Sequence, residues 1–272
     1  AQYRYDTNAL NAWWTQSILN ERFNPELGFI SRTNVIATSP GIIANYRGKL
    51  LPFKKLLRAF RPRAIANIFH ETSSGSLSER EFTLSPFWLE AQNGGFLSFS
   101  TSSFKQNIKY PFSLLGHEIE SGSYDYMRHT LGLGSDPSSK ISFALNYSFG
   151  DVYNGQLQNW NVSLTAVPIP HIFLSGAIDI NDYVNLGTEA LSDQVNLLTL
   201  EGRFFLNPRV SLSGVYQKNS QNDSDFLNIR FAWEYNPLSY LFVVFNSNQN
   251  ENDGNLFLEE QAIVKLSFLK QF

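Results

Sequence analysis

Two groups of residues in this chain are of types that could do chemistry. The first is His117-Glu118 with Glu120, an imidazole beside two carboxylates. In reach of one another such groups hold a metal or pass protons; spread along a polar segment they are a solvated loop. A hydrolase also needs a nucleophile next to a base and an orienting group. None of His70, His117, His129 or His171 stands beside a Gly-flanked serine or in a His–Asp–Ser string. The chain has no cysteine, which excludes disulfides and thiolate metal sites. The expectation is a protein that is not an enzyme, with no catalytic residue, cofactor or metal. The second group is Glu201, Arg203, Arg230, Glu234 and Lys265, charges set singly inside otherwise apolar segments. Facing a lumen, such charges set a field that selects solutes. They can equally pair and brace a wall, and Arg230 and Glu234 stand two same-face steps apart on one segment.

The segments that carry these charges read as strands. Over residues 141–149, Ile141, Phe143, Leu145, Tyr147 and Phe149 alternate with Ser142, Ala144, Asn146 and Ser148. Residues 160–166, 172–180, 210–216 and 227–235 repeat the period of two, the signature of a strand with unlike faces. Phe and Tyr are abundant (23 and 12), yet only 17% of residues are charged and no run approaches the roughly 18 apolar residues of a membrane helix. Mean hydropathy is only -0.21. A wall of strands with apolar residues to lipid and polar ones to a lumen reconciles these values. Net charge is -3, so no basic field invites nucleic acid.

Connections read from the C-terminus alternate long and short. The long ones are residues 246–260, 218–225, 183–194, 150–158 and 108–122. The short ones carry Asn236-Pro237, Asn207-Pro208, Pro168 to Pro170, Asp136-Pro137 and Asn93 to Gly95. Short periplasmic turns and long external loops give this rhythm in a transmembrane antiparallel up-and-down β-barrel. About fourteen strands are expected, centred near Ala9, Ile43, Ile68, Leu84, Phe99, His129, Leu145, Leu164, Gly176, Leu200, Leu212, Phe231, Phe242 and Val264. An even count places both termini in the periplasm. Residues 50–60 are basic and read as a short helix or an elaborated turn, and His129 falls on the parity of Leu131 and Leu133, which implies a bulge or another register. Trp13-Trp14, Trp88, Tyr153, Trp160, Trp233 and Tyr235 fit interfacial girdles. The last segment puts Val264, Leu266, Phe268 and the terminal Phe272 on one face, a pattern that resembles the signal read by barrel-assembly machinery. Lys270 shares that face and can snorkel to water.

The run Phe23-Asn24-Pro25-Glu26-Leu27-Gly28-Phe29-Ile30-Ser31-Arg32 resembles a segment of a Bacteroidota-type outer-membrane barrel family of unknown function. So do Asn228 to Pro237 with Leu241 to Phe245, and the closing Ile263 to Phe268. The Arg-x-x-Trp-Glu-Tyr-x-Pro run carries most of the likeness. Longer members often carry an N-terminal module like family-9 carbohydrate-binding domains, and no such module is found in these residues. The resemblance implies a single barrel domain over residues 1–272, either whole or the C-terminal part of a longer protein. The implied location is the Gram-negative outer membrane. Expected partners are outer-membrane lipid, barrel-assembly machinery and other outer-membrane proteins. The expected role is a pore or transport-associated barrel for small solutes. The alternative is a non-conducting accessory barrel whose long loops bind partner proteins or glycans.

Overall fold

The computed structural model of the chain describes residues 1–24, 30, 32–48, 51, 53–252 and 255–270. Among them every regular element is a strand, and no helix is long and apolar enough to cross a membrane. The first strands are β1 (Gln2–Asp6), β2 (Leu10–Leu19), β3 (Val35–Ala44), β4 (Tyr46–Arg47), β5 (Leu57–Phe60), β6 (Arg63–Glu71), β7 (Leu77–Ala91) and β8 (Phe96–Ile108). Next come β9 (Phe112–Leu114), β10 (His117–Ile119), β11 (Gly122–Gly134), β12 (Ile141–Val152), β13 (Gly155–Ile169) and β14 (Ile172–Leu186). The last are β15 (Leu191–Asn207), β16 (Val210–Asn219), β17 (Ser224–Asn236), β18 (Ser239–Asn252) and β19 (Asn255–Ser267).

The lengths fall into two groups. Five described strands have two to five residues. The other fourteen, β2, β3, β6, β7, β8 and β11 to β19, run from nine to seventeen residues. Thirteen of the expected strand centres fall inside these long strands; Ala9 lies one residue ahead of β2.

Contacts group the chain into two compact units. One comprises Ala1–Leu133, Tyr147–Gln158 and Tyr183–Asp193. In it β1 pairs with β2, β2 with β3, β3 with β6, β6 with β7 and β7 with β8, all antiparallel. The other comprises Gly134–Asn146, Asn159–Asp182 and Gln194–Phe272, where strands follow sequence order and β15 to β19 form an antiparallel meander.

Register shows why the alternation matters, since residues directly opposite one another share a face. In the second unit Phe204, Leu212, Phe231, Val243 and Val264 stand in one row across five strands. The neighbouring row on the other face is Arg203, Ser213, Arg230, Val244 and Ile263. Among the described residues nothing covers the large side chains of the apolar face. Leu164 is 54% exposed, Leu174 51%, Val264 70% and Leu266 69%. The first unit has the same two-sided wall, with Phe82, Leu84, Phe87, Leu97, Leu131 and Leu133 exposed. A sandwich would bury these side chains against a second sheet.

The buried apolar core lies elsewhere. Ile119 and Leu186 are fully buried and cluster with Val152 and Leu157, with Phe112, Leu114, Tyr124, Tyr153 and Tyr183 around them. This cluster sits where the β9–β10 hairpin meets the tips of the β12–β13 and β14–β15 hairpins. The long connections read from sequence are therefore partly paired structure. The β12–β13 turn is only Tyr153-Asn154, and residues 150–152 and 155–158 remain in the ladder. Polar composition signals contact with water, and a hairpin can extend into water and keep its backbone hydrogen bonds. Within the stretch 50–60, the described residues 53–56 form turns ahead of β5 and no helix.

Candidate functional site

In the second unit the expected charges take the polar face, and two of them meet. Glu201 and Arg203 lie two residues apart on β15, and Glu201 Oε1 accepts the Arg203 Nε–H at 2.6 Å. The Arg203 guanidinium also covers the Phe173 ring at 5.2 Å, and that of Arg230 covers Phe242 at 4.7 Å. Lys265 stands directly opposite Phe242. The expected Arg230–Glu234 brace is replaced by another contact: Glu234 Oε1 accepts the Leu238 N–H at 2.9 Å and closes the turn before β18, where Leu238 has φ of 60°. Asn159, Asn161 and Asn181 converge on Asp179, with Asn159 and Asn161 donating to separate carboxylate oxygens at 2.8 and 2.9 Å. These polar groups largely satisfy one another, so they brace the face more than they offer a site.

At the closing strand, Val264 and Leu266 present the apolar face, while Phe268 lies just past the end of β19 and is 66% exposed. Phe272 lies outside the described residues, as do residues 25–29 and 31 of the Phe23 run.

A second cluster of charged groups lies in the first unit, built by the excursion between β3 and β6. After Ala44 the chain enters β4, which pairs with β5 as Tyr46↔Phe60 and Arg47↔Ala59. β5 in turn pairs with the end of β7 as Phe60↔Leu89. The β7 ladder slips between Leu84 and Phe87, at Ser85-Pro86, where proline has no N–H to donate. Glu90 on that end is nearly buried and accepts from Arg58 at 3.2 Å and Arg61 at 2.5 Å. Asn11, Ile43, Arg63 and Ser85 stand in one row across β2, β3, β6 and β7. Arg63 donates through Nε to Ser85 Oγ at 3.2 Å, and its guanidinium stacks on Trp88 at 4.6 Å. A cleft of about 380 Å³ opens here, lined by Arg47, Arg61, Arg63, Trp88 and Glu90. The girdle reading of Trp88 is thereby corrected to a packing role under Arg63. Trp13 likewise packs on the wall, its ring occupying the space a side chain at the facing Gly41 would fill.

Sequence reasoning noted the basic stretch but missed this site. The usable signal was Arg58-x-x-Arg61-Pro62-Arg63 together with Trp88-x-Glu90, two short runs that one strand pairing brings together.

The histidines have plain surroundings. His129 lies between the Phe99 and Phe149 rings, at 6.2 and 5.3 Å, and packs as an aromatic ring on the Leu131 face. His171 Nδ1 lies 2.8 Å from the Phe205 carbonyl oxygen. His117 Nε2 lies 3.8 Å from Asp193 Oδ2, beyond hydrogen-bond length, and Glu118 takes part through its backbone carbonyl, which accepts the Thr188 N–H at 3.0 Å. Among the described residues no group of three or more His, Asp or Glu side chains is arranged to hold a metal. Near the same end, Lys109 ties to Glu71 and holds its carboxyl below the usual range, while burial raises the Tyr153 phenol. No family model matches the chain, and no curated protein or solved structure matches it either.

Proposed function

We propose that this chain is a transmembrane β-barrel of a bacterial outer membrane, related to the Bacteroidota-type family its sequence resembles, and that it conducts small solutes or assists their transport. The observation that carries the reading is the exposed apolar face. Rows of Phe, Leu, Val and Ile lie uncovered along strands of up to seventeen residues. Contiguous apolar surface on that scale is not left in water, and a barrel with lipid on the apolar face and water on the polar one fits both faces of such a wall. Closed pairing would also leave no free edge in the hydrocarbon, which strands in lipid require. Fourteen long strands lie between barrels filled by side chains, at about eight, and open channels, at 16–18. The polar face, with Glu201, Arg203, Arg230 and Lys265, would then look onto the lumen.

Refolded full-length protein in planar bilayers is expected to give steady stepwise ion current. Electrical silence from protein verified to be inserted would overturn the pore reading. One observation favours the accessory reading: the β9–β10 hairpin is packed by Ile119 against the hairpin tips as a formed platform. Under that reading the bilayer stays silent and a partner outer-membrane protein copurifies in fixed ratio.

A further inference from the structure

The geometry points to the cleft around Arg47, Arg61 and Arg63 as a binding site for a small organic oxyanion carrying two negative charges, such as a phosphate monoester. Three guanidiniums line the cleft and one carboxylate, Glu90, answers them. That carboxylate is already engaged by Arg61 and, from outside the cleft, by Arg58. Arg61 Nε is buried and finds no acceptor, and Arg47, exposed on β4, forms no ion pair with a described residue. Arg63 commits only its Nε and its ring-stacked face, which holds the fork in place and leaves its terminal N–H groups free to donate. Uncompensated guanidiniums held together repel one another, and an oxyanion relieves that repulsion while accepting in the bidentate geometry their planar forks present. The volume, about 380 Å³, is in the range of small-ligand sites and exceeds the needs of a bare inorganic anion. Ile43 and Trp88 supply an apolar wall for the organic part.

Asn11, Ile43, Arg63 and Ser85 share the polar face, so the site lies on the lumenal side if the pore reading holds. Binding itself needs no bilayer and is tested apart from conductance. Full-length protein in nonionic detergent is titrated calorimetrically with phenyl phosphate, with neutral phenyl β-glucoside as the comparison. Phenyl phosphate is expected to bind and the glucoside not to. Arg63→Gln and Arg47→Gln are each expected to weaken phenyl phosphate by about ten-fold or more, the size of one lost charged hydrogen bond. Arg230→Gln, in the other unit, is expected to leave affinity unchanged. Binding is also expected to weaken between low salt and 0.3 M salt as screening increases. Variants are compared only where circular dichroism matches the parent. Absence of phenyl phosphate binding to folded parent protein would overturn the site. So would equal loss in Arg230→Gln and Arg63→Gln, which would reduce the effect to general charge. If conductance is seen without binding, the cleft proposal fails and the pore reading stands; binding with a silent bilayer gives the converse.

Discussion

Leu164→Arg is expected to destabilise the bilayer-inserted protein by about 2–4 kcal/mol, the cost of a basic side chain on the lipid face of a barrel near the midplane. Leu164 is mid-strand in β13 and 54% exposed. In water the same substitution would remove an exposed leucine and add a soluble cation, a change of roughly 0.5 kcal/mol or less. The difference is large enough to separate the two solvents. Urea titrations of protein refolded into phospholipid vesicles measure it, with Thr165→Arg on the opposite face as the control. A midpoint unchanged by Leu164→Arg would place this face in water.

Gly150→Ala is expected to cost roughly 3–5 kcal/mol or to block refolding, through strain in a glycine-only backbone region and a clash that cannot be relieved cheaply. Gly150 has φ of 141°, and a Cβ there would lie 2.3 Å from the Met127 carbonyl oxygen. That obstacle is backbone, so β11 would have to move. Gly176→Ala is the contrasting case. Its Cβ would meet the end of the Leu200 side chain at 3.3 Å, which can turn aside, and the expected cost is under about 1 kcal/mol. Similar urea midpoints for the two variants would mean that the close approach at Gly150 bears no part of the wall's stability.

The strands at 141–149, 160–166, 172–180, 210–216 and 227–235 were legible because each of these segments carries its own period of two. Ile141 to Phe149 and Leu227 to Tyr235 announce both their faces without reference to any neighbour. His129 had suggested a misread register, but its parity was sound: a ring between Phe99 and Phe149 belongs on the apolar face. What stayed hidden depends on pairing between distant segments. The polar stretch at 150–158 read as loop because composition reports contact with water, and the continued ladder depends on β13. Arg230 and Glu234 looked like a pair by spacing, yet Glu234 is taken by the Leu238 N–H and Arg230 by the Phe242 ring. The arginine cleft needed the slip at Ser85-Pro86, which turns Trp88 and Glu90 toward Arg61 and Arg63, and no local pattern in either run foretells it.

The absence of cysteine gives a clean background for single labels along β13. Nitroxides placed one at a time at Val162, Ser163, Leu164, Thr165 and Ala166 in vesicle-inserted protein would be read for collision with oxygen, which favours lipid, and with a water-soluble nickel chelate. High oxygen and low nickel accessibility is predicted at 162, 164 and 166, and the reverse at 163 and 165. Nickel accessibility at 164 equal to that at 163 and 165 would contradict a wall whose apolar face meets lipid.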